Sequence, residues 1–162
     1  MGNNKYVQIH NLVRFFAALL ALIIFIAMFI AKQVVCNVTS SIQYTFAFNS
    51  GAFFGDSAAG YKGNVLGFIA YLFVFLGGLG GLAFVFIDEM IGKDLTKTLS
   101  FVVGGVMVVC GILIALFAPI FKAINDLGKS YTTAAGPIVF GILSIVAGAC
   151  VAAAPILEDK GL

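Results

Sequence analysis

Four apolar runs, at about residues 11–31, 65–87, 99–121 and 136–156, are the strongest constraint on how this chain can fold. Each is close to or beyond the ~20 residues with which an α-helix crosses a bilayer core. With 62% hydrophobic and only 10% charged residues, the chain carries too little polar surface to cover itself in water. The expected fold class is an all-α membrane protein, a four-transmembrane-helix antiparallel bundle. Short connections after the second and third runs make those neighbours antiparallel. Spans and loops use up residues 1–162, so we expect a single polytopic membrane domain without a soluble module.

The first run follows Lys5 and Arg14 and continues to Ala31. That exceeds the ~7–15 residues of a cleaved signal core, so it reads as a retained anchor. Counting Lys and Arg by loop puts Lys5, Arg14, Lys93, Lys97 and Lys160 on one side and Lys32, Lys62, Lys122 and Lys129 on the other. The small excess predicts cytoplasmic termini for this multi-pass protein. Arg14 is expected to snorkel to the interface, and His10 to lie at the surface.

Residues 32–64 form the longest segment outside the runs. Ile42, Tyr44, Phe46 and Phe48 alternate with Gln43, Thr45, Ala47 and Asn49, a period of two that suits a strand. Asn49-Ser50-Gly51 can turn the chain, with Phe53 and Phe54 on a returning segment, so a short β-hairpin is one reading. The other places Tyr44, Phe46, Phe48, Phe53 and Phe54 in the membrane interface as an anchor. In either reading they are the loop's interaction residues. Cys36 beside the first run could pair with a copy of itself, although a free thiol is the simpler reading. Asn37-Val38-Thr39 matches a glycosylation pattern very close to the membrane.

Glycine supplies the next signal. Gly67, Ala70, Gly77 and Gly81 form a small-residue stripe in the second run, and Ser100, Gly104, Gly111, Ala115 and Ala118 form one in the third. Gly141, Ser144, Gly148 and Ala152 do so in the fourth. Such faces let helix backbones approach closely, a main source of association in lipid. They predict either a tight bundle or a contact with another subunit. The first run, crowded with Phe, Leu and Ile, is expected at the periphery. Asp88 to Lys97 and Lys122 to Lys129 read as charged connections, and Pro155 as the end of the last helix.

Chemistry-bearing constellations are scarce. No charged residue lies near the centre of a run, which argues against a proton relay or voltage sensor. A single histidine cannot make the usual zinc site, and no serine has an identifiable base. No catalytic, metal or cofactor site is expected, nor an enzyme. The absence of a Lys/Arg cluster argues against nucleic acid. The plan of four helices with a longer first loop resembles that of claudin-like tetraspan proteins. The chain nevertheless has no Trp and one loop cysteine, so that group's tryptophan and cysteine-pair signature is missing and no residue roles carry over. The expected function is a structural or assembly protein, self-associating or scaffolding membrane-protein partners in lipid through its small-residue faces and aromatic loop. A pore formed between protomers, or an accessory subunit of a larger complex, is the alternative.

Overall fold

The computed structural model describes residues 8–36, 51–55, 57, 60–127 and 131–161. Helix α1 spans Ile9–Ala27, α3 Val65–Ile91, α4 Lys93–Ala115 and α6 Ala135–Asp159, with a single helical turn, α2, at Gly51–Phe54 and a short helix, α5, at Phe117–Asn125. Strands β1 (Val34–Cys36) and β2 (Tyr131–Thr133) pair antiparallel, Val34 opposite Thr133 and Cys36 opposite Tyr131. The chain is thus mostly helical, with a small two-stranded sheet that the apolar pattern does not announce. Among the described residues, four helices, α1, α3, α4 and α6, are long and apolar enough to cross a membrane.

These four make an antiparallel bundle in the cyclic order α1, α3, α4, α6, each packed on the next and α6 closing on α1. The α3–α4 turn is the tightest. A single residue, Gly92, separates the two helices, and its φ of 85° with ψ of 148° is a conformation that side chains rarely tolerate. The charged stretch Asp88 to Lys97 is therefore helical on both sides of Gly92 instead of forming a loop. Hydropathy marks where apolar residues stop, while the hydrogen-bonded ladder continues past that point.

The third apolar run is divided at Leu116, whose φ of −88° and ψ of 16° fall between helix α4 and helix α5. Pro119 explains the division, since it has no N–H to return to the carbonyl of Ala115 one turn back. Beyond the break, α5 buries Phe117, Ala118 and Phe121. Pro155, by contrast, does not end the last helix, which continues to Asp159.

At the α5 end, side-chain amides knit the segments between helices. Asn64 accepts from Gly67 N–H at 3.0 Å, capping α3, and donates to the carbonyl of Phe117 at 3.2 Å. Asn125 accepts from Lys62 N–H and donates to the Lys62 carbonyl. Gln33, fully buried, donates to the carbonyls of Met28 and Ala31 and accepts from the Tyr71 hydroxyl. A buried amide that makes all these bonds costs little to desolvate and pins α1's exit to α3.

Candidate functional site

The opposite end of the bundle, where α1 begins, α3 turns into α4 and α6 ends, holds a cluster of polar residues inside the helices. His10, Asn11 and Arg14 of α1, Asp88 of α3, and Thr96 and Ser100 of α4 are all buried. Asn11 and Arg14 share a stripe with Ala17, Ala18, Ala21, Ile24 and Met28, the face by which α1 packs on α3 and α6. Helical spacing therefore directs Arg14 inward, and its side chain is wholly inaccessible. Both sequence-based expectations fail here: Arg14 does not snorkel outward and His10 does not lie at the surface. Other helices bring carboxylates to the inward position.

Those carboxylates come from distant parts of the chain. Arg14 Nη2 lies 3.8 Å from Glu158 Oε2 on α6, and Asp88 adds a second attraction. Arg14 Nη1 donates to Asn11 Oδ1 at 3.4 Å, a long bond, while Nε and Nη2 make no hydrogen bond among the described residues. Glu158 also reaches the highly exposed Lys93 at 3.4 Å, so one carboxylate stands between a buried and a solvated cation. Lys97 pairs with Asp159 alongside. Thr96 donates to the Gly92 carbonyl at 3.1 Å, and the buried Ser100 hydroxyl has no partner among the described residues. Asp88 and Glu158 match the charges of Arg14 and Lys93, so the cluster is a charge-balanced node without the excess positive charge an anion would require. Among the described residues, no three His, Cys, Asp or Glu side chains come together to hold a metal.

The small-residue faces meet within the chain. A Cβ built on Gly104 would lie 2.5 Å from the Gly148 carbonyl oxygen, and one on Gly148 2.6 Å from that of Gly104. Seven residues along, in opposite directions on the two helices, Gly111 and Gly141 repeat the pairing at 2.7 and 2.6 Å. Ser144, between Gly141 and Gly148, is buried and donates to the Phe140 carbonyl at 2.7 Å. On α3, Gly67 lies under the Phe117 ring, Gly77 accepts Met107, and Gly81 accepts Val151. Gly78, which the stripe omitted, meets Ala21 of α1. The helix residues selected from the sequence thus all pack inside one protomer.

The loop aromatics divide. Phe53 and Phe54 lie on the helical turn α2, not on a returning strand. Phe53 is buried, with its ring edge-on to Phe68, Tyr71 and Phe117, whereas Phe54 is 57% exposed. Tyr44, Phe46 and Phe48, with the other hairpin residues up to Ser50 and with Asn37, lie outside the described residues. On the outside of the bundle, α3 and α4 leave an apolar groove of about 430 Å³, lined by Leu66, Ile69, Phe73, Gly105, Val106 and Val109. A Cβ on Gly105 would meet nothing within 4 Å.

No family model matches the chain, and neither does any curated protein or solved structure. Sequence reasoning missed the Arg14–Glu158–Asp88 node. The signal was present in the spacing: Asn11, Arg14, Ala17, Ala18 and Ala21 lie on one helical face, and small residues mark a packed face, so the arginine among them had to be packed as well.

Proposed function

We propose that this chain is a structural integral membrane protein whose four-helix unit assembles with copies of itself or with other membrane proteins. The observation that carries the reading is the internal pairing of the α4 and α6 glycine faces, Gly104 on Gly148 and Gly111 on Gly141, which makes the unit stiff and its interior closed. Ile24, Tyr71, Val74, Met107, Ile114 and Val151, from all four long helices, fill that interior. A filled axis favours a building element over a conduit through one protomer.

With the inner faces occupied, association falls to the outer surface. There the exposed Phe54 and the α3–α4 groove, with the open backbone of Gly105, are the features a partner helix or loop would engage. Lipid covers the remaining apolar exterior, including Leu19, Ile23, Phe86 and Ile142.

The test is gentle extraction followed by electron microscopy of particles and of native membranes, with Phe54→Ala and Gly105→Leu beside the parent. Regular oligomers or arrays that the two outer substitutions weaken would support the reading. Monodisperse single chains, in the membrane and after extraction, would refute it. A ring with a central hole, conducting after reconstitution, would replace it with a pore between protomers.

A further inference from the structure

We propose that Arg14 and Glu158 form a conditional ionic lock: while residue 14 carries a charge, Glu158 is what keeps it, and the α1 rotation that carries it, facing into the bundle. The inference rests on the bilayer-spanning reading but not on any particular assembly.

Close packing favours the observed rotation of α1, since Ala21 meets Gly78 of α3 and Gln33 ties the exit of the helix to Tyr71. The side facing α3 and α6 is mostly small, with Ala17, Ala18 and Ala21 in contact, while Phe15, Phe16, Leu19, Leu22, Ile23 and Ile26 face outward. In lipid both sides are apolar, so the hydrophobic effect adds nothing to that preference, and an uncompensated buried charge can overturn it. Arg14 lies five residues into α1, or about 7.5 Å along the axis at 1.5 Å per residue. That is within reach of a snorkelling arginine, so an unpaired guanidinium would favour a rotated helix with its head at the rim. The observed inward position requires a counter-charge. Glu158, 3.8 Å away, supplies it from the last helix, and Asp88 supplements it from α3.

The geometry is that of a releasable contact. Among the described residues Arg14 makes one long hydrogen bond and otherwise only ionic contacts, so its position depends on charge more than on a network of directed bonds. Glu158 is 19% exposed and shares its carboxylate with the solvated Lys93, which places the acidic half of the lock at the water-facing rim. Lys93 gives Glu158 a second partner, so the carboxylate remains compensated when Arg14 leaves.

A cross-link tests this. The Phe25 and Phe75 rings stack with centroids 4.6 Å apart across α1 and α3. In a chain whose native cysteines are replaced by alanine, Phe25→Cys with Phe75→Cys should be joined efficiently by a short bifunctional thiol reagent in reconstituted vesicles. Adding Glu158→Gln should lower the yield several-fold. Adding Arg14→Met to Glu158→Gln should restore it, because methionine needs no counter-charge and has no pull toward the rim. Arg14→Met alone should cross-link like the parent; if Glu158→Gln yields no folded protein, recovery of folded, cross-linkable protein on adding Arg14→Met reads the same dependence. Three results would each overturn the lock: an unchanged yield in Glu158→Gln, a yield that stays low when Arg14→Met accompanies Glu158→Gln, or a loss in Arg14→Met alone.

Discussion

Two adjacent glycines on α4 should respond in opposite ways to the same substitution. Gly104→Ala introduces a methyl carbon 2.5 Å from the Gly148 carbonyl oxygen, 2.8 Å from Ala152 Cβ and 2.9 Å from Ala152 N. Ordinary contact begins near 3.4 Å, so α4 and α6 must part by almost an ångström at this crossing. Two of the three atoms met are backbone, which has no rotamer to change, and the shift propagates to the Gly111–Gly141 crossing seven residues away. Overpacking costs roughly 1–3 kcal/mol, and a rigid backbone neighbour puts this site near the top of that range. A loss of ~3 kcal/mol lowers the folded-to-unfolded ratio about a hundredfold. Gly105→Ala meets nothing within 4 Å and gains helix propensity of up to ~1 kcal/mol, so it should be neutral or mildly stabilising. Thermal loss of the monodisperse species in one detergent, followed by size-exclusion chromatography, compares the two directly. The reasoning fails if Gly104→Ala melts with the parent, or if Gly105→Ala loses as much as Gly104→Ala does.

Two further substitutions probe the ends of the bundle. Gly92→Ala forces a side chain into φ 85°, ψ 148°, at a cost of about 1–3 kcal/mol, whereas Gly161→Ala, also at positive φ but beyond the last helix, should leave the melting temperature unchanged. Equal behaviour of the two would mean that the α3–α4 turn does not depend on its glycine. Asn64→Ala removes both the α3 cap and the bond to the Phe117 carbonyl, and should lower stability by ~2 kcal/mol in a denaturant titration. A loss indistinguishable from zero would show that the amide's two bonds are replaced at no cost.

The apolar runs were legible because crossing a bilayer is a demand on length and composition, which a linear sequence displays. Helix ends were less so. The chain from Asp88 to Lys97 is charged yet helical, because a helix can leave the apolar layer and continue its ladder, and only Gly92 interrupts it. The break at Leu116 was detectable in principle from Pro119, one turn downstream of where its missing N–H is felt. The β1–β2 pairing was not, since three residues on each side, far apart in the chain, leave no periodic trace. Arg14 shows the limit most clearly. Inside the bundle it lies beside Glu158, and the adjacency of helices from distant parts of the chain is a property of the bundle that no window along the sequence contains.

The glycine stripes carry the same lesson to function. A small-residue face indicates that something approaches closely, but not whether the neighbour belongs to the same chain. Matching the faces decides it. The α4 stripe and the α6 stripe answer each other at two crossings seven residues apart, and α3 is satisfied on two sides, by Met107 and Val151 on one and by Ala21 on the other. Within the long helices, Gly80 and Gly105 remain without a neighbour within 4 Å of a Cβ. A helix from another chain that sought a close backbone approach would find the inner stripes closed and these two positions open. Gly105 lies inside the α3–α4 groove, so substitutions there should affect association while sparing the fold, and substitutions at Gly104 should do the reverse.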